Sequence, residues 1–80
     1  MSKIEAMRKI LSGAARDSLA AQAGEYPGFV VQVNTSRPEV HAALLAELRA
    51  HGVIGPNDGL TVLGSGLVAK LRAELLDSLF

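Results

Sequence analysis

The stretch Leu19-Ala20-Ala21-Gln22-Ala23-Gly24, followed after a short turn by Phe29-Val30-Val31-Gln32-Val33-Asn34, decides how this 80-residue chain folds. The second part carries three valines between Gly28 and Asn34. This β-branched enrichment, with Gly and Asn at its ends, favours a short β-strand over residues 29–34. A short helix over the same residues is the alternative, and the sequence leaves it open.

The segment before this stretch predicts a helix that begins near Ser2. Ser2 and Glu5 have the spacing of a capping box, in which the hydroxyl accepts a hydrogen bond from the backbone three residues on. Gly13 weakens the middle of the segment by about 1 kcal/mol relative to alanine, so two helices are the alternative to one. The apolar positions recur at helical spacing: Ile4, Met7, Leu11, Ala14 or Ala15, and Leu19.

The segment after the stretch gives the clearest helix prediction, over residues 37–51. Ser36-Arg37-Pro38-Glu39 reads as a second capping box, with the proline tolerated in the first turn. His51-Gly52 is typical of a helix end, because glycine adopts the left-handed conformation found there. The apolar stripe consists of Val40, Leu44, Leu45 and Leu48.

The last third predicts a β-hairpin and a closing helix. Gly55-Pro56-Asn57-Asp58-Gly59 is rich in turn-forming residues and separates Val53-Ile54 from Leu60-Thr61-Val62-Leu63. Ser65 is the expected cap of the final helix, whose apolar face contains Leu67, Val68, Leu71, Leu75 and Leu79. The predicted fold is therefore α+β and mainly α-helical, in the order helix–strand–helix–β-hairpin–helix, with residues 1–80 forming one domain.

Composition limits the partners that this chain can have. Eight basic and eight acidic side chains give no net charge, whereas nucleic-acid binders usually carry an excess of positive charge. The absence of cysteine excludes disulfides and thiolate metal sites and fits a reducing compartment. No apolar run approaches the roughly 20 residues of a membrane span, and no secretory signal is visible. We therefore expect a cytoplasmic protein without a membrane partner.

Two stretches resemble DNA-binding families. Gly52-Val53-Ile54 and Leu60-Thr61-Val62-Leu63-Gly64 resemble the wing region of a winged-helix domain, over residues 44–71. The spacing from Leu19 to Val33 resembles a helix-turn-helix, with Ala20, Ala23, Gly24 and Val30 at its small and apolar positions. The resemblance implies a winged-helix-like domain and a small, non-enzymatic, DNA-binding transcriptional regulator.

The DNA hypothesis assigns two sets of contact residues. Phosphate contacts, or contacts to an acidic protein, fall to the basic side chains Lys3, Arg8, Lys9, Arg16, Arg37 and Arg49. Base contacts fall to Gln32, Asn34 and His41. Glu39 and Glu47 lie on the polar face of the same predicted helix as His41, and carboxylates facing phosphates are unfavourable.

The alternative hypothesis is a protein-binding adaptor or inhibitor of a larger complex that does not bind DNA. The neutral charge and the apolar C-terminus motivate it, because the ends of chains are normally polar. Two interpretations of that C-terminus stay open: its apolar side chains either pack on the core or form an anchor for a dimer or another partner. The anchor residues are Leu75, Leu76, Leu79 and Phe80.

Other motifs indicate no chemistry. Gly64-Ser65-Gly66 followed by Ala69 matches a dinucleotide fingerprint, but too few residues follow for a second strand. His41 and His51 are ten positions apart, which is not the spacing of shared metal ligands on a helix. We therefore expect no catalytic residues, no metal and no cofactor.

Overall fold

The computed structural model describes residues 2–79, which form four α-helices joined by one short connection and two longer ones, over residues 21–37 and 51–61. The helices are α1 (Lys3–Ile10), α2 (Gly13–Ala20), α3 (Pro38–Ala50) and α4 (Val62–Leu79). The longest helix, α4, packs against both α1 and α2, and α2 also packs against α3.

The N-terminal segment forms two helices, as the alternative prediction had it. The Ser2 hydroxyl accepts a hydrogen bond from the Glu5 N–H at 3.1 Å and caps α1. Ser12 does the same for the Ala15 N–H at 3.2 Å and caps α2. The break follows from this second cap, because a capping residue has extended backbone angles that end the preceding helix.

The predicted α+β fold, in the order helix–strand–helix–β-hairpin–helix, is wrong. Residues 2–79 contain no β-strand, and their only strand-type pairings are two isolated antiparallel bridges, Val30 with Gly59 and Ile54 with Leu60. Residues 29–34 form neither the predicted strand nor the alternative helix. Val30 pairs over a single bridge, and the Thr35 N–H donates to the Val33 carbonyl at 3.1 Å, so the chain turns at Asn34. The β-propensity of the valines is not sufficient for a strand, because the segment meets its neighbour over one bridge only.

The predicted hairpin is also wrong, because α4 begins earlier than expected. The Thr61 hydroxyl accepts a hydrogen bond from the Gly64 N–H at 2.9 Å and donates one to the Gly52 carbonyl at 2.6 Å. Thr61 therefore caps α4, so that Val62 and Leu63 enter the helix instead of a strand. Ser65, the predicted cap, is buried inside α4 and donates to the Val62 carbonyl.

Helix α3 matches its predicted apolar stripe but not its predicted cap. Leu44 and Leu48 are buried, and the other two stripe residues are half-buried. The N-cap position is held by Arg37, which makes no side-chain capping bond. The predicted capping box at Ser36 is therefore wrong, and the Thr35 hydroxyl instead accepts from the Arg37 N–H at 3.2 Å, just before the helix.

The core is aliphatic and centres on the first half of α4. Its largest fully buried side chains come from three helices and one turn: Leu19, Leu48, Val53, Leu67 and Val68. Gly64 allows the close approach of α4 to the turn, because a Cβ there would clash with the Val53 carbonyl oxygen. Gly64 and Gly66 both lie inside α4, so they do not form a loop before a helix of the kind that cradles a pyrophosphate.

Candidate functional site

Among the basic side chains of α1, Arg8 forms an ion pair, whereas Lys3 and Lys9 do not. The Arg8 Nε lies 2.8 Å from the Glu74 Oε2 of α4, and both side chains are about one-third exposed. Lys3 and Lys9 are exposed and have no carboxylate within 4.0 Å among residues 2–79. Two of the predicted phosphate contacts on this helix are therefore available, and the third is held against α4.

The basic side chains around α3 are both engaged. Arg37 Nε lies 2.9 Å from Glu39 Oε1, and Arg49 forms an ion pair with Asp58. Such exposed pairs contribute no more than about 1 kcal/mol, so a phosphate could displace the carboxylates. Each displacement would nevertheless leave an acidic side chain beside the nucleic acid, which opposes binding.

Arg16 lines a groove of about 340 Å³ between α2 and α4, together with Leu71, Glu74 and Leu75. Its Nε is buried without a hydrogen-bond partner in the described part of the chain. Glu74 also pairs with Arg8, so Arg16 lies beside a carboxylate that α1 already uses. The groove therefore mixes basic, acidic and apolar side chains and is not a basic patch.

The three predicted base-contact residues do not share one surface element. Gln32 and Asn34 are exposed and line an open groove of about 790 Å³ between the end of α2 and residues 29–34. His41 is half-buried on α3 and is not among the residues that line this groove. Gln32 and Asn34 lie in the connection between α2 and α3, not on a recognition helix.

The Gln22 side chain holds residues 29–34 against the end of α2, a role that the sequence did not indicate. Its side chain is only 4% exposed. Its Nε2 donates to the carbonyls of Gln32 and Ser18, each at 2.7 Å, and its Oε1 accepts from the Gln32 N–H at 3.0 Å. The available signal was position, because Gln22 continues the helical spacing of the buried residues Ala15 and Leu19.

Glu47 is a structural residue instead of a solvated side chain on the polar face of α3. Its Oε2 accepts from the Ser12 N–H at 2.7 Å, and its Oε1 accepts from the Ser12 hydroxyl at 2.8 Å. A carboxylate at a helix N-terminus also interacts favourably with the helix dipole. Glu47 therefore ties α3 to the start of α2.

The last two turns of α4 expose three leucines, which we call the leucine surface: Leu75, Leu76 and Leu79. Their side chains are 49%, 56% and 70% exposed, so the predicted packing of this segment on the core is wrong. The dimer or partner anchor stays a prediction for these three leucines. Phe80, the fourth predicted anchor, lies outside the described residues.

Neither chemistry nor similarity assigns a ligand to this chain. Within residues 2–79 no group of three or more His, Asp or Glu side chains is placed to hold a metal ion. None of the described helices combines the length and apolar character needed to cross a membrane. No family model, curated protein or solved structure matches the chain.

Proposed function

We propose that this chain is a non-enzymatic protein-binding domain that docks through the leucine surface onto an apolar helix or groove of another protein. The observation that carries the proposal is the exposure of Leu75, Leu76 and Leu79 on a helix whose first half is buried. Burying one such side chain contributes about 1.5–3 kcal/mol, which gives this small area enough energy to anchor a partner.

The spacing of the leucine surface suits a helical partner. Residues 75, 76 and 79 are related by steps of one, three and four, so they project from adjacent positions on one side of α4. Helix-in-groove recognition uses anchors at such positions. We further propose that the domain acts in the cytoplasm, which the absence of cysteine supports.

A matched pair of variants tests the proposal. Leu76→Gln with Leu79→Gln removes apolar surface without adding charge, and Val62→Gln makes the same chemical change at the other end of α4, where Val62 is 78% exposed. A protein enriched by the tagged chain from cells that encode it would be purified and its affinity measured for the three forms. We expect the double variant to bind at least about tenfold more weakly, because anchor truncations commonly cost more than 1 kcal/mol.

The Val62→Gln control shows which results would contradict the proposal. Equal affinities for the unaltered chain and the double variant, or an equal loss with Val62→Gln, would refute the leucine surface as the anchor. The masses of the chain and of the double variant, measured by light scattering, complete the test. A dimer that the double variant converts to a monomer would identify the partner as a second copy of the chain.

DNA binding is a second candidate, favoured by the two free lysines of α1. Lys3 and Lys9 are exposed and unpaired within the described residues, and exposed lysines can contact phosphates. Titration into random duplex DNA at about 50 mM and then about 200 mM salt would reveal counterion release as a steep loss of affinity. Binding that also weakens in Lys3→Ala with Lys9→Ala would support this candidate, and no binding at the lower salt would exclude it.

A further inference from the structure

The extended segment 29–34 is paired on one edge only. The Leu60 N–H donates to the Phe29 carbonyl at 2.8 Å, and the Val31 N–H donates to the Asp58 carbonyl at 2.9 Å. These two bonds flank the bridge between Val30 and Gly59. In antiparallel pairing, a residue between two such bonds directs its own N–H and C=O away from the partner. The backbone groups of Val30 therefore face the opposite, outer edge.

The outer edge is free at Val30 and covered at Gln32. The backbone groups of Val30 make no hydrogen bond with any residue in the range 2–79. The Gln22 amide bonds to both the N–H and the C=O of Gln32, at 3.0 and 2.7 Å. A residue of a neighbouring antiparallel strand would make this same two-point exchange, so the side chain occupies the place of a strand. The edge ends at a tight turn, in which the Thr35 N–H donates to the Val33 carbonyl at 3.1 Å.

The residues along this edge favour strand pairing. Phe29-Val30-Val31-Gln32-Val33 contains no charge, proline or glycine and is rich in β-branched side chains. Short segments of this composition on an exposed edge tend to pair with further chains. Val30 is 55% exposed, and an open groove lies beside Gln32 and Asn34. Space and sequence therefore both allow another strand once Gln22 is moved.

We propose that the Gln22 side chain blocks a strand-pairing edge, and that a second copy of this chain pairs with residues 30–32 when this side chain is removed. The contact is antiparallel, with Val30 of each copy opposite Gln32 of the other, because identical edges can pair about a twofold axis. This surface is separate from the leucine surface and does not depend on the function proposed above.

The test first removes the Gln22 side chain and then opposes strand pairing by a second substitution, at Val30. Gln22→Ala uncovers the Gln32 backbone and should raise the mass measured by light scattering to at least twice that of the unaltered chain as concentration rises. Gln22→Ala with Val30→Lys should return to the original mass, because a lysine on an edge opposes pairing. Leu44→Ala destabilises the core away from this edge and serves as the control for partial unfolding.

Amide exchange of the unaltered chain provides a test that needs no variant. At a concentration where the chain does not associate, the Val30 amide should exchange freely while those of Val31 and Gln32 are protected. Strong protection of Val30 would overturn the proposal. An unchanged mass for Gln22→Ala, equal association of Leu44→Ala, or no reversal by Val30→Lys would overturn it as well.

Discussion

The two halves of α4 share one leucine spacing but have opposite surroundings. Residues 62–71 carry Leu67, Val68 and Leu71, which are buried against the turn and the other helices. Residues 72–79 continue the same pattern with Leu75 and Leu79, which are about half and more than two-thirds exposed. The leucine stripe thus runs along one face of α4 over both halves, but the domain buries this face only as far as Leu71.

This difference separates stability from binding along a single helix. The first half of α4 holds the fold together, since a fully buried leucine cannot be shortened without leaving a cavity. The second half adds little to the fold, because its leucines remain largely in water. Substitutions in the two halves should therefore have different effects on unfolding, although the residue type and the helix are the same.

The largest expected effect is a contrast between two leucines. Leu67→Ala should lower the free energy of unfolding by about 2–5 kcal/mol, because the side chain is fully buried. Leu76→Ala should change it by less than about 0.5 kcal/mol, as is usual for exposed positions. Urea denaturation of both variants measures the contrast, and comparable losses would show that the second half of α4 packs on the domain.

A smaller effect is expected where α4 approaches the turn. Gly64→Ala places a methyl group against the Val53 carbonyl oxygen and should cost about 1–3 kcal/mol through overpacking. Gly66→Ala is the matched control, because its methyl group would meet only the mobile end of the Ile4 side chain, at 2.9 Å. Thermal unfolding that is equal in the two variants would contradict the close contact at Gly64.

The smallest effect is expected at the boundary between the two halves. Glu74 pairs with Arg8 at 2.8 Å and with Lys70 at 3.9 Å, and its side chain is 38% exposed. Glu74→Gln should therefore cost no more than about 1 kcal/mol, and added salt should reduce the difference. A larger loss in urea denaturation, insensitive to salt, would place this pair in the core and move the boundary towards the C-terminus.

The sequence predicted the helices better than the segments between them. Helix α3 has a clear apolar stripe, and the Ser12 cap agrees with the predicted break near Gly13. The valines at 29–34 did predict extended backbone, but strand formation needs a partner over several residues. Local sequence could not show that the segment pairs with the backbone only at Gly59, and that the Gln22 side chain covers its other edge.

The candidate site could be predicted only as a set of residues. The leucines of the C-terminus were identified from their unusual position, but their exposure depends on where the packing of α2 against α4 ends. The ion pair of Arg8 with Glu74 joins residues far apart in the chain, so Arg8 looked free in the sequence. Glu47 looked solvated for the same reason, because its partner Ser12 is 35 residues away.

Amide hydrogen exchange of the chain, free and saturated with its purified partner, tests the central claim most directly. In the free chain, we expect amides near Leu75–Leu79 to exchange faster than amides near Leu67–Leu71. In the complex, we expect new protection near Leu75–Leu79 only. New protection on α1 or around Gln32, with no change at Leu75–Leu79, would contradict the claim that the end of α4 is the binding surface.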